Sequence, residues 1–327
     1  MYFSGVNPVK AFLNEPAFAR YFFVDSAIRL LYAKITGEKL RLSRYADLKV
    51  HEINYANEVL KEKIRNNTAF MASRYGTAEL SSVTDVLLKR YGLKKELNME
   101  GIKTACNHNG IFPISEEVIM KFADITLESS KELDLLGTFR MIMEDYYIKY
   151  YAPKSVVLTQ RYVFDFWLHN EPFTTALQGK KVLVIHPFEK TIKMQYEYRE
   201  KLFDNKKILP LFELKTLKAV QSIAGEPCEF NTWFDALNYM YTEAMKIDFD
   251  VALLGCGAYG FPLAAMLKKE GKCAIHMGGV TQILFGIKGK RWDNDPIASK
   301  LYNEYWVRPD QSEIPARSRV VEDGCYW

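Results

Sequence analysis

The feature that most constrains the fold of this chain is the alternation, from residue 151 onward, of short apolar runs with amphipathic segments. Strands are predicted for the runs KSVVLTQ, GKKVLVIHPF, KILPLFELKT, FDVALLGCG and KCAIHMGG. Helices are predicted for TIKMQYEYREKLFDN, NTWFDALNYMYTEAMKI and AYGFPLAAMLKKEG, and VTQILFGIKG predicts the start of another. Strands that alternate with helices form right-handed βαβ units, which build a parallel sheet covered by helices. The pattern therefore predicts an α/β fold.

The first half of the chain adds elements of the same kind. Helical spacing occurs in DSAIRLLYAKITG and VHEINYANEVLKEKIRNN. The run TAFMASRYGTAELSSVTDVLLKRYG predicts a short strand, a turn at Gly76 and a helix that ends near Gly92. Ser115, with acidic residues after it, predicts a helix N-terminus, and that helix should run to about Ser130. The run LDLLGTF then predicts a buried strand.

These elements predict how the chain is organised. We expect a Rossmann-like α/β domain over residues 51–310, with a mostly parallel sheet and helices on both faces. A helical N-terminal extension over residues 1–50 precedes it, and a tail over residues 311–327 follows it. A sub-boundary is expected near residues 150–175. The N-terminal extension is expected to pack on the core or on a membrane surface.

Composition excludes several classes of protein. The 327 residues, 48% of them hydrophobic, can fill a substantial core, and 44 basic and 40 acidic residues are too balanced for a dedicated nucleic-acid binder. The five cysteines form no CxxC pair, which argues against a disulfide framework and a zinc site. The N-terminus lacks the apolar core of a signal peptide, and no apolar run is long enough to span a bilayer. These features predict a cytoplasmic protein.

The sharpest local pattern is GCGAYG, which follows the apolar run DVALL and precedes a predicted helix. Gly255, Gly257 and Gly260, together with Ala258 and Tyr259, stand where backbone N–H groups and a helix N-terminus bind phosphate. The same spacing also occurs where a helix packs closely on a strand, so a purely structural role stays open.

A dinucleotide-binding fold is the first interpretation of these glycines. Such a fold places an acidic residue at the end of the second strand, where it binds the ribose hydroxyls. Here the next strand ends in His276, followed by Met277, Gly278 and Gly279, without a carboxylate. We therefore expect His276, Gly278 and Gly279 to border a ligand other than NAD, and an NAD-dependent oxidoreductase is the less favoured hypothesis.

Two further segments place charged residues at predicted strand ends. SRYGTAEL sets Arg74 and Glu79 on either side of a glycine turn, where a surface ion pair is the ordinary alternative. HPFEKTIKMQYEYREKLF begins with His186 and carries Arg199 on the helix that follows. Both are candidates to contact a diphosphate through charge-assisted hydrogen bonds, and a capped structural histidine is the alternative for His186.

A basic segment near the end of the predicted sheet is the fourth motif. FGIKGKRWD carries Lys288 and Arg291, which are candidates to close over a diphosphate, and Trp292, which is a candidate to stack on a base or sugar. A solvated basic loop is the alternative. Because open α/β sheets bind ligands at the carboxyl ends of their strands, we expect the four motifs to converge on one ligand.

These residues resemble a known family. SRYGTAEL resembles the R-[FY]-G-D-x-E signature of glycosyltransferases with the GT-D type fold, and GKKVLVIHPF, REKLFDNKKIL, DVALLGCGAYGFPLAAML and GKCAIHMGG are similar to later blocks of that family in the same order. The resemblance covers roughly residues 55–290. It implies transfer of a sugar from a nucleotide-sugar donor, a UDP-sugar first of all, to a glycan or lipid-linked acceptor in bacterial surface polysaccharide synthesis.

The resemblance also implies a divalent metal, Mn²⁺ or Mg²⁺, that the acidic pair of the D-x-E motif places on the donor diphosphate. This chain keeps the glutamate as Glu79 but has Thr77, after Gly76, in place of the aspartate. Three consequences stay open. Glu79 holds the ion with another acid, or basic residues such as Arg74 and Arg291 replace it. Alternatively, the chain is a non-catalytic nucleotide or nucleotide-sugar binding protein.

The acceptor hydroxyl needs a general base in an inverting transfer. Glu79 is one candidate, and the adjacent acids Glu144 and Asp145 in MIMEDYY are the other. Because paired acids are usually solvated, an exposed helix start is the alternative interpretation of Glu144 and Asp145.

Overall fold

The computed structural model describes residues 5–37, 43–320 and 324–327, and these residues form a nine-stranded sheet in the spatial order β1-β2-β5-β4-β3-β9-β8-β6-β7. The strands are β1 Arg44–Tyr45, β2 Leu48–His51, β3 Phe70–Ser73, β4 Leu135–Thr138, β5 Val157–Gln160, β6 Lys181–His186, β7 Glu213–Lys218, β8 Val251–Leu254 and β9 Cys273–His276. The β1–β2 pair is antiparallel and the other pairs are parallel. The predicted mostly parallel α/β sheet is therefore confirmed.

Helices of very different length connect the strands. They are α1 Pro8–Asn14, α2 Pro16–Ala19, α3 Ser26–Thr36, α4 Ile53–Arg65, α5 Thr77–Arg90, α6 Met99–Asn109, α7 Glu116–Ser130, α8 Glu144–Tyr151, α9 Glu189–Tyr196, α10 Arg199–Leu202, α11 Trp233–Met245, α12 Gly260–Lys269, α13 Val280–Leu284 and α14 Lys290–Asp293. A π-helical turn, Arg20–Asp25, joins α2 to α3, and 3₁₀ turns cover Arg161–Phe164, Phe166–Leu168, Phe173–Leu177 and Gly257–Tyr259, among others. Within the described ranges, no helix combines the length and the apolar character that crossing a bilayer requires.

Local sequence signals account for several helix ends. The hydroxyl of Ser115 accepts a hydrogen bond from the Val118 N–H at 3.2 Å, which confirms the predicted start of α7. Thr232 and Asp235 form a reciprocal capping box at the start of α11. The predicted helix over TIKMQYEYREKLFDN is divided into α9 and α10.

Two hydrophobic cores lie on opposite faces of the sheet. Along β6, Leu183 and Ile185 belong to one core and Val182 and Val184 to the other, as the two-residue period of a strand requires. The first face is covered by α5, α7, α8, α11 and α12, and the second face by α4, α9, α13 and the 3₁₀ turns of residues 161–177. Helices on both faces are therefore confirmed.

The sheet runs across two of the predicted boundaries. Residues 50 and 51 both lie in β2, which pairs with β5, so the expected boundary at this point falls inside a sheet strand. Residues 157–160 form β5, and the parallel pairing continues through β4 to β3, so the sheet is not divided near residues 150–175.

The order of the connections opens a crevice at the centre of the sheet. β3 and β9 are neighbours, yet β3 leads to α5 on the first face and β9 leads to α13 on the second face. Where the connections of two adjacent strands leave toward opposite faces, a crevice forms just beyond the carboxyl ends of those strands. Open α/β sheets bind ligands in such crevices. The site is therefore expected immediately after Ser73 and His276.

Candidate active site

Arg74 and Gly278, the residues that follow these two strand ends, are in direct contact. Gly278 has a φ of +63°, and a Cβ at this position would lie 2.8 Å from Cζ and 2.9 Å from Nε of Arg74. Glycine is required here both for the left-handed backbone and for the space that the guanidinium occupies. The contact confirms that SRYGTAEL and KCAIHMGG meet in the fold.

Three arginines converge on this crevice. The guanidinium carbons of Arg74 and Arg161 lie 5.4 Å and 5.2 Å from the centroid of the Phe139 ring, and that of Arg291 lies 4.7 Å from the centroid of Tyr326. Aromatic faces attract cations, so the Phe139 ring holds Arg74 and Arg161 close together, and the Tyr326 ring holds Arg291 near enough for its charge to act on Arg74. This set of Arg74, Arg161 and Arg291 is called the arginine cluster below.

The arginine cluster is a site of concentrated positive charge. Burial lowers the pKa of Arg74, and the positive charges of Arg161 and Arg291 lower it further, although a guanidinium stays protonated in a protein. Among the described residues, no carboxylate oxygen lies within 4.0 Å of the guanidinium groups of Arg74 and Arg161. Guanidinium groups in a crevice are suited to phosphate, which they bind through paired hydrogen bonds.

Asp165 is the carboxylate that faces the arginine cluster. The residue is 7% exposed, and its side chain accepts no hydrogen bond from the residues that the structure describes. Burial raises its pKa to about 7, while Arg161 and Arg74 act in the opposite direction and Asp295 raises it. A carboxyl group with a pKa near neutrality can exchange a proton with a bound hydroxyl.

The loop that carries Phe139 is held in a strained conformation. Arg140 and Met143 have positive φ values of 56° and 65°, which are uncommon for residues other than glycine. The carboxylate of Glu144 accepts hydrogen bonds from the N–H groups of Phe139 at 3.1 Å and Met141 at 3.2 Å, and from Tyr45 Oη at 3.2 Å. Glu144 therefore fixes the ring on which Arg74 and Arg161 lie.

The placement of Glu144 and Asp145 corrects the prediction that they supply a general base. Glu144 is fully buried, and its oxygens are engaged by the loop. Asp145 is 3% exposed and forms an ion pair with Arg29 of α3. The alternative of an exposed helix start is wrong as well, because both side chains are buried. Both acids therefore have a structural role, because Glu144 accepts hydrogen bonds from the loop and Asp145 forms an ion pair with Arg29.

The turn predicted at Gly76 is present, but Glu79 and its neighbours do not form a set of ligands for a metal ion. A Cβ at Gly76 would lie 2.5 Å from Oε1 of Glu79, so this carboxylate folds back over the start of α5. Burial raises the pKa of Glu79, and the charge of Arg74 acts in the opposite direction. The hydroxyl of Thr77 donates to the sulfur of Met141 at 2.9 Å.

The implied Mn²⁺ or Mg²⁺ does not fit this set of ligands. In the part of the chain that the structure describes, no three His, Cys, Asp or Glu side chains are grouped in a way that could hold a metal ion. Hard divalent cations need several oxygen ligands, and Glu79 is a single carboxylate beside an arginine.

His276 is the last residue of β9 and His186 is the last residue of β6, and both imidazole rings are buried and neutral. Nδ1 of His276 lies 3.0 Å from Oγ of Ser73, and a Cβ at Gly260 would lie 2.5 Å from its Nε2. Nδ1 of His186 accepts from the Phe188 N–H at 3.0 Å. Burial lowers the pKa of both histidines to about 3. They line the base of the crevice as uncharged groups.

The GCGAYG turn combines a packing role with an exposed backbone. A Cβ at Gly255 would lie 2.8 Å from Cβ of Thr281, so this glycine serves close packing, as Gly260 does against His276. Gly257 is exposed, has a φ of +58° and has open space around its Cα, and the 3₁₀ turn after it has no side-chain cap. The N–H groups at the start of this turn remain available to a ligand.

Ala258 and Tyr259 lie in the turn with their side chains turned into the protein. Tyr259 stacks on Trp233 with ring centroids 4.7 Å apart, and its hydroxyl lies 2.9 Å from Oγ of Ser222. Ala258 is 4% exposed. Their side chains are therefore occupied inside the protein, and contact of their backbone N–H groups with a ligand stays a prediction.

Arg199 and Lys288 are not part of the arginine cluster. Arg199 pairs with Glu200 and lies 5.8 Å from the Tyr196 ring, whose hydroxyl binds the backbone of Phe212 just before β7. That location is the amino edge of the sheet, opposite the crevice, because α9 carries the chain back along β6. Lys288 lies 5.4 Å from the Tyr302 ring. The placement of Arg199 corrects its predicted convergence on a diphosphate, whereas the role of Lys288 stays a prediction.

The predicted basic loop is a helix joined to the C-terminal residues. Arg291 and Trp292 belong to α14, and Trp292 is 9% exposed with its ring against Trp167, so it does not present a free face to a base or sugar. The Arg291 N–H donates to the carbonyl of Cys325 at 2.9 Å. A Cβ at Gly279 would lie 3.3 Å from Cε1 of Tyr326. The end of the chain therefore forms one wall of the crevice.

Comparison with known proteins gives a likeness of fold. The chain is similar to the domain of unknown function 1792. No protein-family model matches it, and no curated protein matches it significantly. A selenomethionine-substituted structure of that domain has a TM-score of 0.44 at 14% identity, over 82% of this chain and 93% of the solved chain. A second structure, with the same identity and coverage and a TM-score of 0.43, is described as having a distinct glycosyltransferase fold.

Several residues of the site were not predicted from the sequence. Arg161 directly follows β5 and Phe139 directly follows β4, so the rule that strand ends carry the site identifies both. Asp165 lies four positions further along the same loop. Tyr326 has no local signal, because it reaches the crevice only when the C-terminal residues fold back onto α14.

Proposed function

We propose that this protein is a glycosyltransferase that moves a sugar from a nucleotide-sugar donor, a UDP-sugar first of all, to a glycan or lipid-linked acceptor. The observation that carries the proposal is the arginine cluster at the carboxyl ends of a parallel sheet, where Arg74 and Arg161 form no ion pair within 4.0 Å among the described residues and Asp165 is the acid that faces them. A diphosphate is the ligand whose charge and oxygen geometry match such a cluster.

The donor diphosphate binds between the arginine cluster and the exposed turn at Gly257. Preorganised positive charge stabilises the nucleoside diphosphate as its bond to the sugar breaks, which is the task that a metal ion performs in many transferases. The glycine backbone at Gly257 and Gly278 permits close approach of phosphate oxygens. No protein-bound metal is needed in this scheme.

Asp165 is proposed as the general base. The acceptor hydroxyl oxygen attacks the anomeric carbon, the bond from that carbon to the β-phosphate oxygen breaks, and the electron pair leaves with UDP. The acceptor proton passes to the Asp165 carboxylate, so charge and atoms balance. Asp165 suits this role better than Glu79, because the Glu79 carboxylate is folded over Gly76 at the start of a helix.

The cellular setting is proposed from the resemblance and the cysteines. All five cysteines are free thiols, and four of them are buried, which fits a reducing compartment. We propose a cytoplasmic enzyme of bacterial surface polysaccharide synthesis that works at the inner face of the membrane.

Calorimetric titration with UDP, UDP-sugars and NADH, followed by a UDP-release assay, tests the proposal. We expect UDP-sugars to bind in the presence of EDTA, and UDP to be released when an acceptor is supplied, at a rate that Mn²⁺ changes by less than about threefold, since arginines carry the charge. Absence of binding by every nucleotide sugar, or binding of NADH alone, contradicts the proposal.

A non-catalytic nucleotide-sugar binding protein is the second candidate function. Thr77 in place of an acidic residue favours it, because its hydroxyl is engaged with Met141 and Glu79 is left as a single acid. Tight UDP-sugar binding without UDP release, across glycan and lipid-linked acceptors, would favour this candidate over the enzyme.

A further inference from the structure

The N-terminal helices carry an unusual concentration of exposed apolar side chains. Of the nineteen large hydrophobic residues that are exposed in the described part of the chain, eight lie between Val9 and Ile35. Scattered exposed apolar residues are ordinary, but a contiguous group marks a surface that contacts something else.

These side chains form ordered stripes along helices. Val24, Ile28, Leu31 and Ile35 are spaced by four, three and four residues and are 44%, 53%, 59% and 74% exposed. Ile28, Leu31 and Ile35 belong to α3, where this spacing places them on one side, and Val24 lies in the π-helical turn that leads into α3. Val9, Phe12 and Leu13 of α1 add a second exposed group. The two groups together are called the apolar face.

The opposite side of the same segment is anchored to the protein. Arg29 pairs with Asp145 and donates to the carbonyl of Met141 at 3.2 Å. The Phe18 ring lies edge-on to Tyr91 and Tyr146 at 5.1 Å and 5.2 Å. The segment is therefore fixed by one side, and its apolar face is presented outward.

Positive charge accompanies the apolar face. Lys34 of α3 and Arg44 of β1 are exposed, and Arg44 lines one surface pocket with Ile28 of α3. The Arg20 side chain at the other end of the segment is 71% exposed, and it pairs with Asp25 at 3.8 Å. Exposed apolar stripes flanked by cations are the mark of helices that lie in the interface of an anionic bilayer.

We propose that α1–α3 dock this protein on an anionic lipid bilayer, with the apolar face in the interfacial region and the neighbouring cations on the lipid headgroups. A second copy of the chain is a poorer occupant of this face, because it would bring the same cations toward one another. The proposal is independent of the transferase function. It is compatible with a lipid-linked acceptor, since Arg29 joins α3 to the loop that carries Phe139.

Vesicle co-sedimentation of the full chain, without any nucleotide, tests this proposal. We expect binding to vesicles of phosphatidylcholine with phosphatidylglycerol, weaker binding to phosphatidylcholine alone, and weaker binding at high salt. The double variant Ile28→Asp with Leu31→Asp should lose at least about tenfold in affinity, because two exposed apolar side chains that enter the bilayer on binding are replaced by charges. Lys34→Glu should weaken only the component that depends on phosphatidylglycerol.

A matched control removes apolar residues of similar exposure elsewhere. Leu211 and Ile297 are 56% and 49% exposed, so Leu211→Asp with Ile297→Asp should bind vesicles as the unaltered protein does. Thermal unfolding verifies that both double variants are folded. Equal vesicle binding by the two double variants overturns the proposal. So does a dimer that forms in solution without vesicle binding and is lost in the Ile28→Asp, Leu31→Asp variant, since that result assigns the face to a second copy.

Discussion

The guanidinium of Arg74 lies against the Cα of Gly278, so that a Cβ there would come within 2.8 Å of the guanidinium carbon. Arg74 follows β3 and Gly278 follows β9, two neighbouring strands that are about two hundred positions apart in the chain. Their contact places a buried cation at the point where the sheet opens toward its two faces. The chemistry proposed for this protein depends on that cation and on the two arginines beside it.

The Gly278 contact gives the first prediction. Gly278→Ala should displace the Arg74 guanidinium and reduce affinity for UDP by about tenfold or more, since a charge-assisted hydrogen bond contributes roughly 1.5–3 kcal/mol. Titration calorimetry measures the affinity. Gly271→Ala is the matched control, because Gly271 also has a positive φ, +80°, with no atom near a Cβ. Both variants should lose about 1–2 kcal/mol of stability from backbone strain. Equal UDP affinity in the two variants would contradict the role of Arg74.

The second prediction concerns Arg161, which was not identified from the sequence. Arg161→Ala should weaken binding of UDP and of inorganic pyrophosphate by about 10-fold to 100-fold, with a smaller loss for Arg161→Lys, which keeps charge but not the planar fork. The salt dependence of binding should also decrease. Arg90→Ala removes an arginine paired with Asp124 on the surface and should leave both affinities unchanged. A similar loss in both alanine variants would remove Arg161 from the phosphate site.

The third prediction concerns the proton acceptor. Asp165→Asn should reduce kcat by about 10²- to 10⁴-fold, the usual contribution of a general base, while UDP binds as well as before or more tightly. In the unaltered protein the rate should rise with pH through about 7, since burial raises the pKa of Asp165 to about 7 and the carboxylate is the active form. Unchanged kcat in a folded variant would return the role of base to Glu79.

The same pKa has a consequence for stability. The folded state of Asp165 binds its proton more tightly than an unfolded aspartate does, because burial raises the pKa from 3.8 to about 7. Stability should therefore fall as pH rises between these two values, and Asp165→Asn should abolish this component. Urea unfolding of both proteins at about pH 5 and about pH 8 measures the difference. The charges that face Asp165 are Arg161, Arg74 and Asp295, and they are the same in both proteins.

The fourth prediction separates a structural acid from a catalytic one. Glu144→Gln should destabilise the protein by about 1–3 kcal/mol, because an amide N–H₂ then faces backbone N–H groups that a carboxylate oxygen had accepted. Glu128→Gln, at an exposed position in α7, should change stability by less than about 0.5 kcal/mol. Urea unfolding gives both values. A large loss of turnover without loss of stability would restore the prediction that Glu144 acts as a base.

The sequence by itself determined the class of fold and the edge of the sheet at which the site lies. Period-two and helical spacing are local properties, so β3, β6, β8 and β9, the helices after them and the cap at Ser115 could be predicted from neighbouring residues. The short strands β1 and β2 were not predicted, because they are held by pairing with each other and, for β2, with distant β5. The positions of Arg74 and of the glycines at strand ends could be predicted in the same way, from the residues next to them in the sequence.

Tertiary structure alone decided which of these side chains act together. Arg161, Asp165 and Tyr326 reach Arg74 through the lateral order of the strands and the return of the C-terminal residues to α14, and neither is encoded by spacing. Burial likewise decided that Glu144 and Asp145 are structural, since Glu144 accepts hydrogen bonds from the preceding loop and from distant Tyr45, and Asp145 pairs with distant Arg29. Charge and residue type are local, but burial and proximity arise from contacts between residues far apart in the chain, and those contacts set the chemistry.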